Sequence, residues 1–229
     1  MGIATILAIG CCGPAAAQVA GKLSLQSDYQ VRGYSVSRGR PVGILDLSYD
    51  SPSGVYLNGQ LFGALPDDYN SGLLGMIGDV GYARRLNSTL SIDGGVTRSE
   101  YASIGAGGYH TGYTEIYAGL ASQRLSAHLY YSPDYFGPGV KTVYGDVEGN
   151  IGIFAEIRLN AHVGALGYLD RPAPLPPGKT QYDWRVGASR QFGAIDVHAA
   201  LSGGGPSPQF YDGQPRSKTE FIVGAGYTF

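Results

Sequence analysis

From Gly21 to Phe229 the chain repeats one pattern, runs of roughly ten residues alternating apolar and polar and each closed by a turn, with no helical period. Successive side chains of a strand point to opposite faces, so each run makes a ribbon with one oily side and one wet side. In the first run Leu23, Leu25, Ser27, Tyr29 and Val31 share one face, and Lys22, Ser24, Gln26, Asp28, Gln30 and Arg32 share the other. The division recurs at Leu45, Leu47 and Tyr49 against Asp46 and Ser48, and at Leu74, Met76, Val80 and Tyr82 against Asp79. It holds at Leu125, Ala127 and Leu129 against Ser126 and His128, and in the last run at Phe221, Val223, Ala225, Tyr227 and Phe229 against Glu220 and Thr228. The pattern predicts about twelve strands, an even number.

The connections alternate strictly in length. Short ones fall near Ser51 to Gly54, Arg85 to Ser88, Ser122 to Arg124, Ile153 to Ile157 and Gln191 to Gly193. Longer ones, rich in Gly, Pro, Ser and Asp, fall near Tyr34 to Arg40, Leu65 to Gly72, Ala102 to Thr111, Pro133 to Lys141, Asp170 to Gln181 and Gly203 to Lys218. Outer-membrane barrels have this asymmetry, with short periplasmic turns and longer outside loops, whereas a soluble sandwich has no reason for it. Lipid cannot satisfy a peptide group, so strands of this length cross it only as a sheet closed on itself. The expected fold is therefore an all-β transmembrane antiparallel up-and-down barrel with both ends of the barrel chain on the periplasmic side. Tyr49, Tyr82, Tyr101, Tyr131, Trp184 and Tyr227, at strand ends, are expected to meet the headgroups as an aromatic girdle.

Charged residues make up only 15% of the chain and the formal net charge is -2, which gives no basic field for nucleic acid. The two cysteines, Cys11 and Cys12, lie in a leader that runs from Ile3 through a short apolar core to Ala15-Ala16-Ala17. That leader reads as a signal peptide, residues 1–17, cleaved before Gln18, with 18–229 forming the barrel. Acylation of Cys11 as a lipoprotein is the competing reading, weakened by the short run before it. A mature chain without cysteine has no thiol for a disulfide, a metal cage or nucleophilic catalysis.

The wet faces carry Asp28, Asp46, Asp79, Asp93, Glu115, Asp146, Glu148, Asp183, Asp196 and Glu220, against Lys22, Arg32, Arg158 and Arg185 and the histidines His128, His162 and His198. These are the expected lumen-lining residues. The acids outnumber the permanent cations, so a charged, cation-preferring lumen for small ions or polar solutes is expected. The opposing reading is that the charges pair across a narrow barrel and plug it, with Asp28 and Arg32 as the expected pair within one strand. An outer-membrane enzyme needs a lipid-facing histidine to activate a serine; the phase puts three histidines in the lumen and His110 in a loop. Neither a catalytic residue, a cofactor nor a metal is expected. The long loops 171–177 and 203–215 suit an adhesive or structural barrel instead.

The terminal alternation Gly224-Ala225-Gly226-Tyr227-Thr228-Phe229 resembles the signal by which the barrel-assembly machinery recognises its clients, which gives Tyr227 and Phe229 an assembly role. The run Ser27-Asp28-Tyr29-Gln30-Val31-Arg32-Gly33-Tyr34-Ser35, with Pro41 following, resembles the signature of the Gcw_chp family, also called TorF-type porins. Gly81-Tyr82, Tyr182-Asp183-Trp184 and Val186-Gly187 extend the resemblance along the chain, while Val36 departs from the expected polar residue. The resemblance implies a porin-like barrel in the outer membrane of a Gram-negative bacterium. It brings no substrate and no functional residues.

Overall fold

The computed structural model describes residues 17–64, 72–102, 112–154, 156–170, 180–205 and 219–229. Its strands are β1 (Gln18–Gln26), β2 (Gln30–Val31), β3 (Tyr34–Ser35), β4 (Val42–Asp50), β5 (Val55–Ala64), β6 (Leu73–Arg85) and β7 (Leu90–Tyr101). They continue as β8 (Gly112–Ser122), β9 (Leu125–Ser132), β10 (Thr142–Gly152), β11 (Ile157–Tyr168), β12 (Thr180–Phe192), β13 (Ile195–Gly205) and β14 (Glu220–Thr228). β1 and β4 to β14 form one closed barrel of twelve strands in sequence order, and β2 with β3 makes a separate two-stranded ribbon. All pairings are antiparallel, and β1 closes the ring by pairing with both β4 and β14. The expected alternation of short and long connections holds: β4–β5, β6–β7, β8–β9, β10–β11 and β12–β13 are joined at one end of the barrel by the short ones.

Alternation sorts the side chains as expected. Leu23, Leu57, Leu129, Val163 and Val186 on the outside are 47–57% exposed or slightly more, with Leu129 at 59%. An apolar outer surface of this extent on a closed sheet is what hydrocarbon, not water, would cover. Exposed Tyr82, Phe192, Tyr227 and Phe229 lie near the short-turn end, and exposed Tyr182 and Phe221 near the long-loop end.

Three elements depart from the expected phase. The first run is not one strand to Arg32: β1 stops at Gln26, Ser27 is tied to β14 by its amide to the Val223 carbonyl at 2.9 Å, and the chain turns inward. Tyr29 and Val31 are therefore buried at 4% and 2% exposure rather than facing lipid. Leu74 is buried because the β5–β6 register shifts between Phe62 and Gly63, which turns the start of β6 over. Tyr101 belongs to the interior rather than the girdle, since its ring meets Phe62 and Tyr113.

The inward-turned segment is a hairpin. Val31 pairs with Tyr34 and Gln30 with Ser35 across Arg32 and Gly33, both with positive φ (49° and 78°). Two central residues with positive φ mark the type I′ turn that joins twisted strands without splaying them. Asp28 holds its base, its Oδ1 accepting from Ser35 Oγ (2.5 Å), Ser37 Oγ (2.6 Å) and the Gly39 amide (3.0 Å). Inside the barrel the hairpin's Tyr29, Val31 and Val36 join Val42, Ile44, Phe62, Leu166 and other wall residues in one apolar cluster. Tyr135 and Val140, from the β9–β10 connection, complete it. The long-loop half of the interior is thus a packed core, which the alternation did not foretell.

At the other end the last residue seals the seam. Gly21 and Phe229 exchange both backbone hydrogen bonds (3.0 and 2.9 Å), and the Phe229 ring lies over Gly21, where a Cβ would collide with it. Removing Phe229 deletes two hydrogen bonds worth about 1 kcal/mol each. The folded barrel of such a variant is expected to lose its heat-resistant electrophoretic mobility roughly 5 °C earlier than the full chain, and an unchanged transition would contradict closure at this residue.

Candidate functional site

The site is the barrel interior, built where inward positions of the wall meet the hairpin. The hairpin crosses this interior: Tyr29 stacks on Phe62 of β5 with ring centroids 4.2 Å apart and donates its hydroxyl to Gln60. At the tip, Gly33 lies so close to Gly203 and Gly204 of β13 that a Cβ there would strike their backbone. Arg32 reaches in the other direction, to β8, where its Nη2 donates to both Glu115 oxygens at 2.8 Å. Its guanidinium lies 4.0 Å from the Tyr144 ring centroid, 5.3 Å from Tyr135 and 5.6 Å from Tyr113. Burial opposes the charge on Arg32, and the Glu115 carboxylate offsets that cost by supplying the opposite charge at hydrogen-bond distance. Arg32 therefore pairs with Glu115, not with Asp28 as the single-strand reading expected. The reason is the turn, which sends Arg32 across the interior while Asp28 stays at the hairpin base.

Below the hairpin, toward the short turns, the interior is polar and most of the expected acids find donors. His128 on β9 stands between Asp93 (3.3 Å) and Asp146 (3.7 Å), and His162 on β11 between Asp183 (2.7 Å) and Glu148 (3.3 Å). Tyr144 adds its hydroxyl to Asp183. Asp196 accepts Lys22 at 2.6 Å and approaches His198 at 3.3 Å, and Arg185 stands 3.8 Å from Glu148. Asp46 is held by Gln60 (2.6 Å) and Asp79 by Asn58 (2.9 Å). Both Asp146 oxygens and Glu148 Oε1 are buried without a well-aligned hydrogen bond among the described residues, so the acid pair on β10 meets its histidines as ion pairs. Glu220 sits at the long-loop end of β14 opposite Ser202, and Arg158, exposed, at the short-turn end of β11 opposite Gly152. Each described histidine is thus engaged by a carboxylate, and among the described residues no group of three ligands fits a metal ion. His110 and the loops 171–177 and 206–215 lie outside the described residues, as does the leader through Ala16.

Sequence reasoning missed one set of residues altogether, the inward glycines. Tyr56 faces Gly81 across the β5–β6 ladder, Tyr117 faces Gly95, His128 faces Gly119 and His198 faces Gly224. In each case a Cβ on the glycine would collide with the ring or with its hydroxyl, and Tyr144 covers Gly164 in the same way. The large polar rings therefore lie flat along the wall of the polar half instead of projecting across it. The signal was present: these glycines occupy wet-face positions, where a bare backbone beside an aromatic residue marks close approach.

The Gcw_chp family profile, described as "Bacterial protein of unknown function (Gcw_chp)", matches residues 12–219. This chain belongs to the Gcw_chp family. Among curated sequences nothing matches it. Among solved structures it is similar to the NanC porin, with a TM-score of 0.60 at 13% identity over 92% of this chain and 99% of that one. It is also similar to the KdgM porin, with a TM-score of 0.54 at 14% identity over 93% and 99% of the two chains. A third similar structure is an outer membrane channel from Pseudomonas putida F1, with a TM-score of 0.51 at 16% identity over 95% and 96%. At these identities the likeness concerns the fold. The run Ser27 to Ser35 that carried the resemblance contains the in-folded hairpin, β2 and β3.

If Glu115 holds the hairpin in place, neutralising it leaves Arg32 as a buried unpaired charge, a change that costs about 3–5 kcal/mol. Trypsin cleavage between Arg32 and Gly33, followed by peptide mass, is expected to be negligible in the native chain and rapid in Glu115→Gln. Equal resistance in both would show that the pair does not retain the hairpin.

Proposed function

We propose that this Gcw_chp protein is a passive diffusion channel of the bacterial outer membrane for small ions or polar solutes, weakly preferring cations, with the hairpin setting its narrowest section. The observation that carries this reading is the division of one closed barrel into an apolar outside and an acid-rich inside whose rings are folded against the wall over glycines. An outside of leucine and valine suits the barrel to lipid, and export through a cleaved leader ending at Ala17 and recognition of Tyr227 and Phe229 by the barrel-assembly machinery would bring it there. Glu115, Asp196 and Glu148 meet permanent cations and Asp93, Asp146 and Asp183 meet histidines, whereas Asp28, Asp46 and Asp79 are held by neutral amides and hydroxyls, so the acids outnumber the permanent cations and favour a negative field. A field of that sign suits cationic or neutral solutes rather than polyanions. The similar KdgM porin has been crystallised in complex with oligogalacturonate, a polyanion; the acid excess here supports a different clientele.

A second reading, a non-conducting structural or adhesive barrel acting through its long loops, is favoured by the packed apolar cluster that the hairpin and the Tyr135 segment form in the long-loop half. Planar-bilayer recording separates the two. The channel reading expects measurable conductance with a cation-selective reversal potential at low salt that fades as the Debye length falls below about 10 Å above 0.1 M. Neutralising Asp146 and Glu148 together should weaken it. Absence of conductance from a correctly folded barrel would favour the scaffold, and anion preference would overturn the charge argument.

A further inference from the structure

The contact at the hairpin tip has the chemistry of a ligand site. Glu115, Tyr113, Tyr135 and Tyr144 are each 6% exposed or less, and together they present one carboxylate and three ring faces to a single planar cation. A carboxylate with flanking tyrosine faces is a guanidinium receptor in any context, because the planar cation stacks and donates to the acid at once. The occupant is Arg32, and the turn is an unfavourable place for it. The first central position of a type I′ turn takes glycine, asparagine or aspartate readily, whereas a long side chain with φ of 49° carries backbone strain. The hairpin therefore gives up turn stability to bring a guanidinium to this cage. Within the cage the grip is one-sided: Nη2 takes both carboxylate oxygens, while Nε and Nη1 are buried without a hydrogen-bond partner among the described residues. A free guanidinium, not constrained by the turn, has the freedom to turn a two-nitrogen edge to Glu115 instead.

We propose that the cage of Glu115, Tyr113, Tyr135 and Tyr144 is a binding site for guanidinium-bearing solutes, occupied at rest by Arg32 as a tethered ligand, and that a free solute of this class competes with Arg32 and releases the hairpin. Release as a means of widening the conduit rests on the channel reading; the binding site does not. Tethering places Arg32 at an effective concentration on the order of millimolar, so release requires free solute at or above that range.

The test empties the cage without disturbing the turn. In Arg32→Gly the new residue suits a positive φ, so the turn itself is kept while the contact to Glu115 that holds the hairpin is lost. The refolded full chain of this variant is titrated with methylguanidinium chloride or, at equal ionic strength, methylammonium chloride, and thermal unfolding is followed. The unfolding temperature should rise by roughly 3 °C once methylguanidinium exceeds its dissociation constant tenfold, should not respond to methylammonium, and should lose the response when Glu115→Gln is added. In the native chain, where the cage is filled, the same solute should instead speed hydrogen exchange of the Val36 amide, which is bonded to the Tyr29 carbonyl at 2.7 Å within the hairpin. The native-chain measurement stands even if the variant does not fold. A flat titration in the folded variant, an equal response to both salts, or unaltered exchange in the native chain overturns the proposal. Loss of bilayer conductance in every form would overturn the channel reading while leaving a methylguanidinium-specific shift intact.

Discussion

A guanidinium buried at 8% exposure stays in place only if a carboxylate meets it there, and in this barrel that pair, Arg32 with Glu115, joins residues far apart in the chain across the interior. The remaining architecture of the long-loop half follows from it. With Arg32 fixed on β8, the hairpin lies across the barrel, Gly33 comes to rest against β13, and Tyr29 is brought onto Phe62. The apolar residues of the hairpin then find a core inside the barrel, where the wall supplies Val42, Ile44 and Leu166 at inward positions that are polar in the lower half. A closed sheet of twelve strands leaves an interior that must be either hydrated or filled, and in the long-loop half the hairpin fills it.

Most of the barrel was legible because a buried-on-one-face strand has a strict period of two, and the runs from Leu45 to Phe229 obey it apart from Leu74. The alternating connection lengths supplied the topology. The hairpin was not legible for the same reason the strands were: Tyr29 and Val31 continue the alternation of Leu23 and Leu25 without a break, so nothing in the period says that the chain has left the wall at Ser27. The signal lay in turn chemistry, since Arg32-Gly33 between two short alternating pairs is a two-residue hairpin connection. Leu74 escaped for a different cause, a register shift that periodicity cannot register, and Tyr101 because an aromatic at a strand end reads equally as girdle or core.

The wet-face residues were assigned to the interior by phase, yet their partners came from neighbouring strands. His128 and His162 lie on either side of β10, and that strand's Asp146 and Glu148 serve one each, an arrangement that depends on the order and register of three strands. The inward glycines are the other half of that design. They let the rings of Tyr56, Tyr117, His128 and His198 recline on the wall, so the polar half is lined by hydroxyls and imidazoles instead of being crossed by them.

The most direct test of this account is a double-mutant cycle between Arg32 and Glu115, with Arg32→Met, Glu115→Leu and the double variant compared by urea unfolding of the refolded barrel. The account predicts that the two changes are strongly non-additive, with a coupling of about 2 kcal/mol, and that the double variant recovers most of the loss caused by Glu115→Leu alone. A coupling indistinguishable from zero, below about 0.5 kcal/mol, would mean that the hairpin is not held inside the barrel by this pair.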